Sequence, residues 1–105
     1  SLREGHPAAQ ALGRRMALAQ GSPDERLRVG FRRCLHREPN ADELGSLRGL
    51  LDRSRQRFSS EPDKARRLAT EPIGELPRQL EAPEAAAWTS VANVLLNLDE
   101  FLMKR

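Results

Sequence analysis

Tyrosine is absent from this chain, and β-branched residues are scarce: three Val, one Ile and two Thr among 105 residues. So few cannot furnish a sheet of several strands, which excludes β and α/β folds. Cysteine occurs once, at Cys34. A single thiol excludes a disulfide scaffold and fits either a reducing compartment or an exported chain without disulfides. No apolar run approaches the roughly 20 residues of a membrane span. There is no Cys-x-x-Cys-His and hence no covalent haem site. Cys34 with His36 cannot complete a tetrahedral zinc site by themselves. Their side chains, two residues apart on a helix, also point too far apart to form a nucleophile pair. No cofactor is expected in this segment.

What is abundant points one way. The chain has 16 Leu, 16 Arg and 13 Ala, all good helix formers. Its length suits one domain and is short for two. The expectation is a single all-α domain over residues 1–105, a compact bundle of four to five helices.

Local punctuation marks the helices. Pro7 opens the first, with Leu12, Met16 and the Ala8 and Ala19 positions as a thin apolar stripe and Gly21 at the C-terminal cap. His6 is expected in a mobile end. Ser22-Pro23-Asp24-Glu25 is a capping box that starts the second helix. Leu27, Phe31, Cys34 and Leu35 form its core face, and Pro39 stops it near Arg37. Asn40-Ala41-Asp42-Glu43 is a second capping box. It starts a long third helix with Leu44, Leu47, Leu50, Leu51 and Phe58 inward, and with Arg48 and Asp52 spaced to pair. Ser60-Glu61-Pro62-Asp63 starts a short fourth helix carrying Ala65, Leu68 and Ala69. Residues 71–83 hold Pro72, Gly74, Pro77 and Pro83 and form a Pro-rich connection, which Ile73, Leu76 and Leu80 are expected to pin to the core. The helical glycines Gly13, Gly30, Gly45 and Gly49 make no phosphate-cradling motif and are expected to permit close helix contact.

The last helix, from about Pro83 to Leu102, is the most apolar. Trp88, Val91, Val94, Leu95, Leu98, Phe101 and Leu102 fill one side, and Ala92, Leu96 and Met103 extend it. Such a helix belongs at the centre of the bundle. Its narrow polar strip makes Asn93, Asn97 and Glu100 the expected surface for contact with another domain or partner. Asp99 falls on the apolar side near the helix C-terminus, where the macrodipole disfavours a carboxylate. It therefore needs a cation, and Arg37, at the end of the second helix, is the expected partner.

Charge is unevenly placed. Residues 1–70 carry 15 basic and 9 acidic groups, and residues 71–105 carry 3 and 6. The basic part raises nucleic-acid binding through the Arg-rich second and third helices as an alternative. The third helix, however, opens with Asp42 and Glu43, which would face phosphates in a helix-turn-helix docking. The acid pairs Asp24/Glu25 and Asp42/Glu43 are accounted for by helix capping. No catalytic group is identified, and the expectation is a non-enzyme. The remaining alternative is part of an enzyme whose site other domains complete.

Two stretches carry a family resemblance. Asp24-Glu25-Arg26-Leu27-Arg28-Val29-Gly30-Phe31-Arg32-Arg33-Cys34-Leu35, running into Arg37-Glu38-Pro39 and Ala41-Asp42-Glu43-Leu44, and Ala87-Trp88-Thr89-Ser90-Val91-Ala92-Asn93-Val94-Leu95-Leu96-Asn97-Leu98-Asp99-Glu100-Phe101 resemble the C-terminal end of planctomycete-type proteins. In these, a cytochrome c module is followed by two domains of unknown function. The resemblance spans roughly residues 8–105. The residues that match are Arg37, Pro39, Glu43, Leu44, Trp88, Asn97, Asp99 and Glu100. His36 departs, standing where a small residue, often Gly, is usual. The resemblance implies an exported parent protein with haem chemistry upstream of this segment, and it gives no activity. The expectation for the segment itself is a structural or interaction module whose partner is protein: upstream domains of the parent chain or another polypeptide. The start, Ser1-Leu2-Arg3, lacks an initiator Met, so the chain is expected to be a segment, and its own ends do not report targeting.

Overall fold

A computed structural model describes residues 6–103, with side chains through Leu98. Among the described residues there are five helices and no strand: α1 (Pro7–Leu18), α2 (Pro23–Leu35), α3 (Ala41–Ser59), α4 (Pro62–Thr70) and α5 (Ala82–Met103). The all-α expectation holds. None of these helices is long and apolar enough to cross a membrane.

Short-range chemistry sets most boundaries. Ser22 Oγ accepts from the Glu25 N–H and Glu25 Oε1 accepts from the Ser22 N–H, closing the first capping box at 3.2 and 2.8 Å. Asn40 and Glu43 close the second, with both bonds between 2.8 and 2.9 Å. Pro7, Pro23 and Pro62 each stand in a first helical turn, where no intrahelical N–H is required. His6 does more than trail from a mobile end: its Nδ1 accepts from the Ala8 N–H at 3.1 Å and caps α1. Gly21 is displaced from its expected place. The cap of α1 is Ala19, and Gly21, with φ 106°, shapes the turn into α2. His36 ends α2 in the left-handed region at φ 58°, a conformation that favours glycine.

α5 runs through the middle and touches each of the other four helices, α1 most extensively. Trp88, Val91, Ala92 and Leu95 are fully buried on it. Around it lie Leu12 and Met16 of α1, Leu27, Phe31 and Cys34 of α2, and Leu47 and Leu51 of α3. A satellite cluster of Phe58, Ala65, Leu68 and Ala86 seats α4. On α1 the inward residues are Ala9, Leu12, Met16 and Ala17, and Ala8 faces out. The Cα radius of gyration, 12.8 Å, is that of a close-packed domain of this length.

Two glycines let helices approach. A Cβ on Gly13 would lie 2.8 Å from the Thr89 backbone, so α1 and α5 meet there main chain to main chain. A Cβ on Gly30 would strike Met16 Sδ. Gly45 and Gly49 do not serve this purpose. Nothing lies within 4 Å of a Cβ at Gly45, and at Gly49 only the end of Arg53 is near.

The connection from Glu71 to Glu81 is held both by its own Leu76 and Leu80, which pack on the core, and from α1. Leu80 is buried and Leu76 half-buried, but Ile73 is 36% exposed, against expectation. From α1, Gln10, fully buried, donates from Nε2 to the Leu68 carbonyl at 2.6 Å and to the Glu71 carbonyl, while its Oε1 accepts from the Ile73 N–H at 3.3 Å. Arg14 adds bonds to the carbonyls of Ala69, Gly74 and Glu75. These satisfy backbone groups that an irregular segment leaves without a regular ladder.

Candidate functional site: the α2–α3 corner and the α3–α5 groove

Of the residues singled out from the sequence, Arg37 stands at the corner between α2 and α3. α2 stops at His36, and Pro39 and Asn40 turn the chain into α3. Arg37 reaches back over this turn. Its Nη1 and Nη2 donate to Oε1 and Oε2 of Glu43 at 2.9 and 2.8 Å, a bidentate pair. Its guanidinium also lies over the Phe31 ring, 5.0 Å from the centroid. Glu43 thus serves two functions, completing the α3 cap and anchoring Arg37. The Arg37 hydrogen bonds, helped by the Asn40 N–H, hold its carboxyl down at about 2 and raise the Arg37 value. A carboxylate so held has no proton to donate near neutral pH, so Glu43 is unsuited to general acid catalysis.

The expected Arg37–Asp99 pair falls outside the described residues on its Asp99 side, as does the side chain of Glu100. What is described of Arg37 is its engagement with Glu43. Of the expected surface residues, Asn93 is buried, against expectation, while Asn97 is half-buried. Asn93 is 7% exposed, and Asn97 Nδ2 donates to the Asn93 carbonyl at 2.8 Å within the helix. Thr89, on the same strip, is buried against Gly13 and returns its hydroxyl to the Ala85 carbonyl. A helix enclosed by four others has little room for a solvent-facing strip, and small polar residues are buried there when they can bond along their own helix.

Beside the corner, α3 and α5 diverge into a groove of about 380 Å³. Phe31 and Leu47 form its floor, and Leu50, Val94 and Leu98 its walls, with Glu43 on the rim. Leu98 is 41% exposed, although the helical pattern places it on the core side. Leu98 thus stands open beside the groove that it helps to line.

At the other end of the same two helices, Arg55 and Glu84 form a second bidentate pair, at 3.0 and 2.7 Å, and Trp88 Nε1 donates to Glu84 Oε2 at 2.9 Å. Burial works to raise the Glu84 value, but the Arg55 and Trp88 hydrogen bonds outweigh it and the net shift is down. This staple was not anticipated. The i, i+4 spacing of Glu84 and Trp88 was the available signal; Arg55 is too far away in sequence to have been matched to it.

Four of the eight arginines of α2 and α3 are matched by acids. Arg32 meets Glu38, Arg48 meets Asp24 and Asp52, Arg55 meets Glu84, and Arg57 meets Glu61. Cys34 is buried and His36 exposed. Among the described residues no group of three or more His, Cys, Asp or Glu is placed to hold a metal ion. No protein-family model, curated protein or solved structure matches the chain.

Proposed function

We propose that this chain is a non-catalytic helical module that docks onto another protein domain through the α3–α5 groove. The observation that carries this reading is Leu98, the exposed residue among the described side chains of α5, which lines the groove together with Leu50 and Val94. Apolar side chains left open in a concave setting gain about 25 cal/mol per Å² when a partner covers them. The ion-paired corner of Arg37 and Glu43 supplies a fixed polar rim, as protein interfaces have around their apolar centres. The resemblance to the closing domain of planctomycete-type cytochrome c-associated proteins supports the same reading, with a preceding domain of an exported parent as the occupant. The nucleic-acid alternative is weakened by the acids seated on Arg32, Arg48, Arg55 and Arg57, half of the α2 and α3 arginines.

Hydroxyl-radical footprinting tests the proposal. Labelling of Leu50 and Leu98 is compared between the 105-residue chain and the polypeptide of the full open reading frame. Docking protects both side chains in the longer protein, and Leu98→Asp restores labelling at Leu50. Equal labelling in the two proteins removes the groove as the docking surface.

A further inference from the structure

A second concave surface lies on the opposite side of α2 and has different chemistry. α1 and α2 flank a shallow trough of about 780 Å³ lined by Ala11, Leu18, Val29, Arg15, Arg32 and Arg33. It continues past Ala11, Arg15 and Arg33 into a second hollow of about 390 Å³ floored by Leu12, Cys34 and Leu96.

Three observations single out this trough. First, the outward stripe of α1 is Ala8, Ala11, Arg15 and Leu18, all exposed. A solvent-facing stripe is ordinarily polar, so α1 is apolar on two faces, only one of which the core covers. Leu18 is 40% exposed. Second, the charges along both hollows are all of one sign: Arg15, Arg32 and Arg33 line them, and no acid does. Third, two of these three cations are not matched by an acid. Arg32 reaches Glu38 at 3.0 Å, but Arg15 and Arg33 have no carboxylate partner among the described residues.

We propose that the α1–α2 trough is a docking site for an acidic amphipathic helix of a partner protein. The apolar face of such a helix covers Leu18, Ala11 and Val29, and carboxylates along its flanks meet Arg15 and Arg33. The charge complementarity selects acidic over basic partners, and the apolar floor selects a protein helix over a nucleic acid. A phosphate backbone would satisfy the arginines but has no apolar side to cover Leu18 and Val29. The 12 residues of α1 extend about 18 Å, so a partner helix of three to four turns fits the trough. This site is separate from the α3–α5 groove and stands or falls independently of it.

The test uses the whole chain and a fluorescent synthetic peptide of about four turns, with leucines on one helical face and glutamates on its flanks. Binding is read by anisotropy, and the contact surface by amide shift changes in the unaltered protein. The proposal expects saturable binding, with shift changes at Ala11, Leu18 and Val29. It expects weakening of about tenfold in Arg15→Gln/Arg33→Gln and a comparable loss in Leu18→Ser, with the helical circular dichroism and melting temperature of both variants unchanged. The shift map keeps the test valid if a variant does not fold. Equal affinity for a scrambled peptide of the same composition would overturn the proposal. So would tighter binding of duplex DNA that the same variants weaken, or shift changes confined to Leu50 and Leu98.

Discussion

Arg37 and Glu43 are joined by two parallel hydrogen bonds across the α2–α3 corner, so that one carboxylate both caps α3 and holds the chain reversal. Because Glu43 is held at about 2, below the ordinary value near 4.3, the folded state binds its proton less readily than the unfolded chain. The stabilisation is therefore fully present above about pH 5 and is lost as pH falls through the interval from about 4.3 to 2. Glu43→Gln, which keeps the shape but not the charge, should be less stable than the unaltered chain at neutral pH. The difference should shrink towards zero near pH 2. Urea midpoints measured across this range check it, and a pH-independent difference would refute the assignment.

Gly13 and Gly45 should respond oppositely to alanine. At Gly13 the new methyl meets the Thr89 main chain, which cannot turn aside as a side chain can, and α1 must shift. A loss of about 1–3 kcal/mol is expected, in the range of overpacked cores. At Gly45 the methyl meets open space in the exposed interior of α3, and Gly45→Ala should gain about 0.5–1 kcal/mol from helix propensity alone. Chemical denaturation of the two variants decides both signs.

Gln10 is a fully buried amide whose polar atoms serve the end of α4 and the following turn. Gln10→Leu preserves bulk but leaves the Leu68 carbonyl and the Ile73 N–H without their partner. The expected cost is about 1–3 kcal/mol for the unsatisfied groups. Limited proteolysis should cut first between Thr70 and Glu75, and an unaltered cleavage pattern would show that Arg14 holds the segment unaided.

His36 holds a left-handed backbone conformation, φ 58°, that costs a residue with a Cβ about 1–2 kcal/mol. His36→Gly removes that cost, partly offset by the greater freedom of glycine in the unfolded chain. A net gain of about 0.5–1 kcal/mol is expected. His36→Val should be destabilising, since a β-branched residue is least tolerant of positive φ. Thermal melts of the pair check the order Gly above His above Val.

The sequence by itself determined the helices and their ends. Ser22 with Glu25, Asn40 with Glu43, and Pro7, Pro23 and Pro62 act within a few residues of where they stand, so their geometry is dictated locally. The apolar run through Trp88, Val91 and Leu95 likewise determined that α5 would be central. Tertiary structure alone decided which contacts the helices then made. Asn93 looks polar and outward on a helical projection, yet it is buried because four neighbours surround α5. Leu98 looks inward, yet it is exposed beside the groove between α3 and α5. Ile73 is not the anchor of its segment; Gln10 and Arg14, on another helix, hold the backbone there. Arg55 could be assigned to Glu84 only once α3 and α5 had crossed. The abundant arginines show the same division. Their number was evident at once, but whether each was matched by an acid or left unmatched beside an apolar trough depended on distances between helices. Those distances follow from packing at contacts such as Gly13 on Thr89, which no pattern within a single helix contains.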